Sequence, residues 1–471
     1  MVRLSGRVPL PGGHRRLRAR LLRPAYAGNE GLSSRRGSAR FTEALEGGAG
    51  VIGAIAPPLA TWGIAAGATA GVVLRPFAWP EWIWAIAGAM LLVLFGLLSP
   101  EEALDGVSKG TDVYLFLTGM MLLAELARHE GLFDWLAARA ARMAGGSATW
   151  LFGLIYGVGV VVTTFLSNDA TAVVLTPAVA TVARSARIKD ALPFLFVCAF
   201  IANAASFVLP ISNPANLVIY GSHMPPLLQW LPRYGLSSVL AIAVTFLVLR
   251  WTQREALQQP VSAEVVVPSL AAGGRTAAWG IAGTNVVLLA SSAFDLQLGL
   301  PTFLAGVATT LVVLLRSQIR PSTIVRDISW GVLPLVAGLF VLVEALEKTG
   351  LTQTLADSLH ALFEDSGMTA AWASGTVLAV GCNLVNNLPA GLLAGRAVEL
   401  AHVPDQIRAA MLIAVDLGPN LSVTGSLATI LWVTALRRDG HEVDAWRFLK
   451  LGAVAMPPAL ILAIAGAFVF A

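Results

Sequence analysis

Charged residues are scarce in this chain. Asp, Glu, Lys and Arg make up 13% of its 471 residues, whereas soluble domains contain about 25%. Apolar residues make up 56%, and the mean hydropathy is +0.72. This balance excludes an ordinary soluble protein, and several apolar stretches are long enough to cross a hydrocarbon layer of roughly 30 Å. The composition therefore predicts an all-α polytopic membrane protein.

Cysteine and histidine are also rare. The two cysteines, Cys198 and Cys382, both lie inside apolar segments, so no disulfide framework is predicted. The six histidines lie in tails or loops without ligand spacing, so we expect no metal site and no cofactor. The residues also form no nucleophile, base and acid set, which disfavours a membrane enzyme.

The amino-terminal segment 1–48 lacks a continuous apolar core, so we expect no cleavable signal peptide there. It contains ten arginines among glycine, serine and proline. This composition predicts a disordered tail. A basic arm that binds a membrane surface is the alternative.

The remaining chain divides into two similar halves. The segment "GMMLLAELARHEGLFDWLA" from Gly119 aligns without gaps with "GLFVLVEALEKTGLTQTLA" from Gly338. A polar stretch at 252–276 separates the halves, so we predict transmembrane repeat 1 at 49–251, a cytoplasmic linker at 252–276 and transmembrane repeat 2 at 277–471. Glu125 and Glu344 occupy equivalent positions and are interpreted as interfacial or scaffold residues.

Polar interruptions follow in the same order in both halves. The first half contains Ser167-Asn168-Asp169 and "PISNPAN", and the second contains "NLVNNLPAG" and "DLGPNLSVTGS". Irregular backbone within a membrane is tolerated only where protein or water satisfies its polar groups. Paired interruptions in two halves indicate the binding site of a transporter.

The loop charges predict the orientation. A model with five transmembrane helices per half, one re-entrant hairpin and one unwound helix makes the two repeats inverted. Sixteen loop cations then lie on one side and five on the other, so the first side is predicted to be cytoplasmic. The same model places the arginine-rich tail outside. We therefore expect either that the tail is a start-site extension absent from the mature protein, or that an extra surface helix returns it to the cytoplasm.

Small hydrogen-bonding side chains at the breaks are the candidate substrate-binding residues, since they can replace the hydration of a small polar solute. Half-helix amino termini add unpaired N–H groups. The predicted lining is Ser167, Asn168, Ser212, Asn213, Asn216, Asn386, Asn387, Asn420, Ser422 and Thr424.

Two acids accompany the breaks. An ionised Asp at the centre of a membrane helix costs on the order of 3 kcal/mol, which indicates a use or a partner. Removal from water favours a neutral carboxyl, so Asp169 and Asp416 are the candidate proton-coupling residues. For Asp169, capping of the following half-helix is the alternative.

The segments "FLSNDATAVVLTPAV", "FIANAASFVLPISNPANLVI", "NLVNNLPAGLLAG" and "DLGPNLSVTGSLATILW" resemble the bacterial arsenite efflux permease family, the membrane subunit of arsenical pumps, within the ion-transporter superfamily. The resemblance extends from about residue 50 to the end. It implies export of arsenite and antimonite across the plasma membrane of a bacterium, driven by protons. It also implies a possible partner, a separate soluble ATPase stimulated by arsenite.

Two alternatives use the same scaffold, a Na⁺/H⁺ antiporter and a carrier of dicarboxylate-like anions. A dianion would be repelled by Asp169, whereas neutral arsenous acid can be held by Asn and Ser. A site of three thiolates needs three cysteines, so recognition through hydroxyl groups is expected. Cys198 is interpreted as core packing, and Cys382, close to the second break, as a candidate arsenic contact.

Overall fold

The structure is a computed structural model that describes residues 57–221, 224–317 and 320–469. The predicted tail at 1–48 lies outside the described residues. Every regular element in this part of the chain is helical, and an isolated β-bridge joins Ser147 to Pro260. The predicted all-α class is confirmed.

The first half contains eleven α-helical segments before the linker. They are α1 (Pro57–Leu74), α2 (Glu81–Leu94), α3 (Pro100–Lys109), α4 (Thr111–His129), α5 (Leu132–Met143), α6 (Ala148–Phe165), α7 (Asn168–Ala170), α8 (Thr176–Ser185), α9 (Leu192–Ala204), α10 (Pro214–Tyr220) and α11 (Leu227–Thr252). A π-helical turn at Thr171–Leu175 joins α7 to α8.

The second half contains ten. They are α12 (Ala272–Ala293), α13 (Gly299–Arg316), α14 (Pro321–Asp327), α15 (Val332–Lys348), α16 (Leu351–Asp365), α17 (Gly367–Val385), α18 (Asn387–Ala401), α19 (Asp405–Leu417), α20 (Leu427–Arg438) and α21 (Ala445–Ala467). Short 3₁₀ turns interrupt the chain before α10 and α20, at Pro210–Ser212 and Gly418–Leu421.

Local signals for these helices recur at equivalent positions of the two halves. Gly131 and Gly350 have φ of 71° and 83° and turn the chain into α5 and α16, a conformation that glycine adopts without steric cost. Ser147 and Ser366 then cap α6 and α17 by accepting a hydrogen bond from a backbone N–H. Equivalent sequence positions thus begin equivalent helices.

The packing of the two halves is reciprocal. Helix α4 packs against α13, and its counterpart α15 packs against α2, the counterpart of α13. Helix α11 packs against its own counterpart α21. This exchange indicates that the halves are related by an approximate two-fold operation.

Seven helices in the described residues are long and apolar enough to cross a membrane, and the count rises to eight if α3 and α4, bent by 49°, form one span. The large apolar residues exposed on these helices include Leu247, Leu315 and Val377, which suits contact with lipid rather than water. The predicted multi-pass membrane location is confirmed.

The linker runs from the end of α11 at Thr252 to the start of α12 at Ala272, so α12 begins inside the stretch predicted as linker. Gln259 accepts hydrogen bonds from the backbone N–H groups of Lys189 and Asp190, at 3.0 and 2.9 Å. The linker therefore lies on the same face as the loop between α8 and α9, which is on the predicted basic side.

Candidate functional site

The first hairpin, α6 to α8, turns at an extended residue. Ser167 has φ of 174° and ψ of 167°, and its hydroxyl accepts a hydrogen bond from the Ala170 N–H at 3.2 Å. The Asn168 side-chain oxygen accepts from the N–H of Asp169 at 2.9 Å. The polar tip is thus held by its own local hydrogen bonds, and the amide nitrogen of Asn168 is left for other partners.

The second hairpin, α17 to α18, turns at the equivalent position. Asn386 has φ of 74° and ψ of 151°, a conformation that costs a non-glycine residue of the order of 1–3 kcal/mol. Its carboxamide donates to the Thr424 carbonyl at 3.3 Å, and the Asn387 N–H donates to the Gly425 carbonyl at 2.9 Å. The hairpin tip is therefore fastened to the unwound helix beside it.

The first unwound helix, α9 to α10, is fixed by two of the predicted residues. The Ser212 hydroxyl donates to the Thr164 carbonyl at 3.0 Å, near the tip of the first hairpin. The Asn216 side-chain nitrogen donates to the Ser206 carbonyl at 3.0 Å. Both side chains are fully buried, and they satisfy backbone groups that the break in the helix leaves open.

The second unwound helix, α19 to α20, is clasped by Asn383. The Asn383 side-chain oxygen accepts from the Ser422 N–H and hydroxyl at 3.0 and 2.8 Å, and its backbone carbonyl accepts from the Thr424 hydroxyl at 2.8 Å. Asn420 donates to the Phe200 carbonyl at 3.0 Å. Ser422, Thr424 and Asn420 therefore hold the shape of this break.

A small central cavity lies where the two hairpin tips meet the two breaks. Its volume is about 10 Å³, room for roughly one water molecule. Its polar wall consists of Asn168, Asp169, Asn213 and Asn387. Its apolar wall is formed by Leu117, Pro214, Val332, Val336, Leu388, Leu427 and Ala428.

The polar side chains around the central cavity have unused hydrogen-bonding capacity. Among the described residues, the Asp169 carboxyl and the Asn387 carboxamide form no hydrogen bond with the protein, and neither does the side-chain nitrogen of Asn168. Asn168 and Asn387 are buried and Asp169 is partly buried, and buried polar groups normally have partners. These three side chains are therefore available to a solute.

The second acid lies behind this wall. Asp416 is fully buried, and one of its oxygens accepts a hydrogen bond from the Asn213 side-chain nitrogen at 2.7 Å. Its other oxygen is buried without a partner among the described residues. Asp416 does not line the central cavity, and Asn213 stands between them.

Two further cavities flank the central one. A narrow cavity of about 60 Å³ shares Asp169 and Val332 with it and extends to Glu125, and a wide cavity of about 630 Å³ lies one helical turn beyond Leu388, at Leu392. Helix α4 passes the wide, central and narrow cavities in that order, and α15 passes them in reverse. This is the order that an inverted repeat predicts.

Ion pairs lie at both outer ends. At the narrow end, Arg128 pairs with Glu125 and with Asp327, and His129 lies 3.0 Å from the same Asp327 carboxylate. Glu125, His129 and Asp327 form a group of possible metal ligands within the described residues. The Arg128 guanidinium already supplies the positive charge there, so this group does not suit a metal ion.

At the wide end, Glu344 pairs with Lys109, and Arg396 lies 2.6 Å from Glu347. Glu125 and Glu344, interpreted as scaffold residues, are therefore each engaged by a cation at opposite ends of the cavities. Both cysteines are fully buried and line none of these three cavities.

The structure thus divides the predicted lining into two groups. Asn168, Asn213 and Asn387 meet at the central cavity together with Asp169, and Ser167 lines the narrow cavity. The others form hydrogen bonds that shape the breaks, and their role as solute ligands stays a prediction. They are Ser212, Asn216, Asn386, Asn420, Ser422 and Thr424.

Sequence reasoning missed two asparagines, the buried Asn203 and the partly buried Asn383. Asn203 donates to Asn420 at 3.1 Å and so joins α9 to the second break. Asn203 lies in the motif "FIANAASFVLPISNPANLVI" and Asn383 in "NLVNNLPAGLLAG". A carboxamide side chain within an apolar helix arm was the sequence signal that could have identified them. The apolar wall from α4 and α15 carried no such signal, because its residues look like any membrane helix.

A multi-pass helical protein in which two hairpin tips and two unwound helices enclose a polar cavity has the architecture of a membrane transporter. The family model described as "Citrate transporter" matches residues 69–435. This is more than half of the chain, and the chain belongs to that family.

Curated relatives include the arsenical pump membrane protein of Escherichia coli K12, which is 24% identical over 405 residues, with coverage of 81% of this chain and 91% of the relative. The protein of the same name from Yersinia enterocolitica is 26% identical over 367 residues, covering 74% and 83%. The predicted resemblance to arsenical pump membrane proteins is confirmed.

A solved structure, that of the YdaH transporter from Alcanivorax borkumensis, has the same fold at a TM-score of 0.51 and 16% identity, covering 81% of this chain and 87% of that one. The chain is a membrane transporter of the arsenical pump and citrate transporter group. Its relatives are transporters rather than enzymes.

Proposed function

We propose that this transporter exports arsenite, and also antimonite, from the cytoplasm in exchange for protons. The observation that carries the proposal is the set of unpartnered groups at the central cavity: the Asp169 carboxyl, the Asn387 carboxamide and the side-chain nitrogen of Asn168. The names of the curated relatives support the same substrate class.

The chemistry of the cavity favours a neutral hydroxide. Arsenous acid offers three hydroxyl groups, each a donor and an acceptor, and the two carboxamides with the Asp169 carboxyl can match them. In the described part of the chain no lysine or arginine lines the central cavity. A polyanion would meet Asp169 there without a compensating cation.

Proton exchange is supported by the two acids at this depth. A carboxyl removed from water is far less costly when it is neutral, so a proton can enter and leave as the site changes its access. Asp169 lines both the central and the narrow cavity. The narrow cavity faces the predicted cytoplasmic side and would connect the central cavity to that side.

The second candidate is a Na⁺/H⁺ antiporter on the same scaffold. One observation favours it: the Asp169 carboxylate stands beside the oxygen-bearing side chains of Asn213 and Asn387, and carboxylate and amide oxygens suit a hard cation. A carrier of dicarboxylate-like anions agrees with the description of the family model, but Asp169 would repel its substrate.

The test is arsenite uptake by everted membrane vesicles that contain the full chain. We expect an imposed pH gradient, acidic inside, to drive accumulation of arsenite in the absence of ATP, and expression to protect sensitive cells. Absence of uptake would refute arsenite export. Uptake only with ATP and a separate ATPase would show that this partner drives transport, and sodium-dependent pH changes would favour the antiporter.

Recognition through hydroxyl groups makes a prediction about the cysteines. Because Cys198 and Cys382 are fully buried and line none of the cavities described, the double variant Cys198→Ala/Cys382→Ala should keep the arsenite affinity of the wild type within about twofold. The concentration dependence of arsenite exchange in liposomes measures this. A loss of tenfold in a protein that still elutes as a single peak would show that a thiol contacts arsenic.

A further inference from the structure

The two unwound helices hold each other in a crossed arrangement. Each unwound helix has a polar residue in its first arm and a capping residue at the start of its second arm. The spacing between the two is the same in both helices: Asn203 precedes Asn213 as Asp416 precedes Ser426. The contacts run between the helices rather than within them. Asp416 accepts from Asn213 at 2.7 Å, and Asn203 accepts from the Ser426 hydroxyl at 3.3 Å.

The two crossed contacts differ in charge. One is between a carboxamide and a hydroxyl, which stay neutral, and the other contains a carboxyl. The neutral contact shows that the arrangement needs no charge to form, since Ser426 still caps α20 by accepting from the Thr429 N–H at 3.1 Å. The acid at position 416 is therefore not required by the cap itself.

The two contacts also differ in what they reach. Asn213 lines the central cavity, whereas Ser426 and Asn203 do not. The Asn213 side-chain oxygen is held by the Ala215 N–H at 3.0 Å, and its nitrogen donates to Asp416. Because both the oxygen and the nitrogen of this carboxamide are hydrogen-bonded, its second N–H points in a fixed direction. The strength of the bond to residue 416 therefore determines how well the orientation of that N–H is defined.

We propose that Asp416 is the proton-coupling acid and that Asn213 transmits its charge to the solute, whereas Asp169 contacts the solute directly. This inference rests on the proposed proton-coupled export. The bond from Asn213 is charge-assisted when Asp416 is ionised and roughly half as strong when Asp416 is neutral. The ionised form thus orients Asn213 for the solute, and protonation releases it.

This arrangement yields exchange rather than cotransport. If the solute binds better to the deprotonated form, then by linkage the proton binds better to the empty form. Each therefore tends to displace the other. In antiport the transporter releases the solute on one side of the membrane, binds a proton there and carries the proton back to the other side.

The surroundings of Asp416 leave this role to a single carboxyl. Helix α19 packs against α9, α10, α11, α17, α18 and α21. In the described part of these helices no lysine, arginine or second acid faces Asp416, and the titratable group that does is the Cys382 thiol. The Ser206 hydroxyl is also near, but it donates to the Asn203 carbonyl at 2.7 Å. Protonation of Asp416 would therefore act on the central cavity mainly through its hydrogen bond with Asn213.

The test uses variants that copy the other half of the molecule. Asp416→Asn reproduces Asn203, and Asn213→Ser reproduces Ser426, so the double variant reproduces the neutral pair that the fold already contains. The full chain is placed in liposomes, and two quantities are measured: exchange of labelled arsenite at equal pH on both sides, over a series of pH values, and accumulation driven by a pH gradient.

In the wild type we expect the arsenite affinity to rise with pH and the gradient to drive accumulation. In Asp416→Asn exchange should persist with an affinity that no longer depends on pH, and the accumulation ratio should fall to about one. Asn213→Ser should lose the pH dependence as well, and the double variant should show no further change. Asp357→Asn, which removes an exposed acid of α16, is the matched control and should behave as the wild type.

Gradient-driven accumulation by Asp416→Asn at the level of the wild type would overturn the inference. So would loss of all exchange in a folded Asp416→Asn protein, because the acid would then belong to the binding site. If Asp416→Asn does not fold, Asn213→Ser decides: retained pH dependence overturns the inference and its loss supports it. Failure of the wild type to exchange arsenite, or to respond to a pH gradient, would instead refute the proposed function.

Discussion

Removal of both carboxamides at the hairpin tips is expected to reduce the affinity for arsenite about a hundredfold. Asn168 and Asn387 occupy equivalent positions in the two halves, and both line the central cavity. A hydrogen bond contributes about 1–1.5 kcal/mol, or roughly tenfold in affinity. Asn168→Ala and Asn387→Ala should therefore each cost about tenfold, and the double variant about the product.

The stability of these variants should change little, since the Asn387 side chain has no protein partner among the described residues and Asn168 accepts only from its neighbour Asp169. Gln353→Ala, which removes an exposed carboxamide on α16, is the matched control. Arsenite exchange in liposomes as a function of concentration gives the affinity. A double variant that binds like the wild type would move the solute site away from the central cavity.

The breaks in the helices were predictable from the sequence because polar residues stand out within apolar membrane segments. Within an apolar run, polar residues such as Ser167, Asn213 and Asn386 mark a break in the helix, since open backbone groups at that depth need partners. The internal repeat, and the same order of interruptions in both halves, then paired the breaks. Composition and spacing were sufficient for these features.

The sequence did not predict which polar side chains at the breaks bind backbone groups and which remain free to contact a solute. Asn216 and Asn387 look alike in the sequence, yet the Asn216 side-chain nitrogen is occupied by backbone carbonyls and the carboxamide of Asn387 is free. Which state an amide adopts depends on the distance to a carbonyl of another segment. The crossed contact between Asn213 and Asp416 joins residues 203 positions apart, and nothing local specifies it.

A second large effect is expected at Gly452 on α21. A Cβ atom at this position would lie 2.3 Å from the Asn420 carbonyl oxygen and 2.5 Å from that of Leu421. These oxygens belong to the second break, whose backbone is clasped by Asn383 and cannot retreat without loss of those bonds. Gly452→Leu should therefore cost more than the roughly 1–3 kcal/mol of ordinary overpacking and leave little protein that elutes as a single peak.

The matched control is Gly157→Leu on α6. This glycine lies in an apolar helix like Gly452, but its surface is exposed and a Cβ atom would meet nothing within 4 Å. Leucine also favours the helix by about 0.8 kcal/mol relative to glycine, so the thermal midpoint in detergent should stay the same or rise. Gly452→Leu with a normal midpoint would mean that α21 does not press on the second break. In that case the close contact at Gly452 would not fix the position of the unwound backbone beside the central cavity.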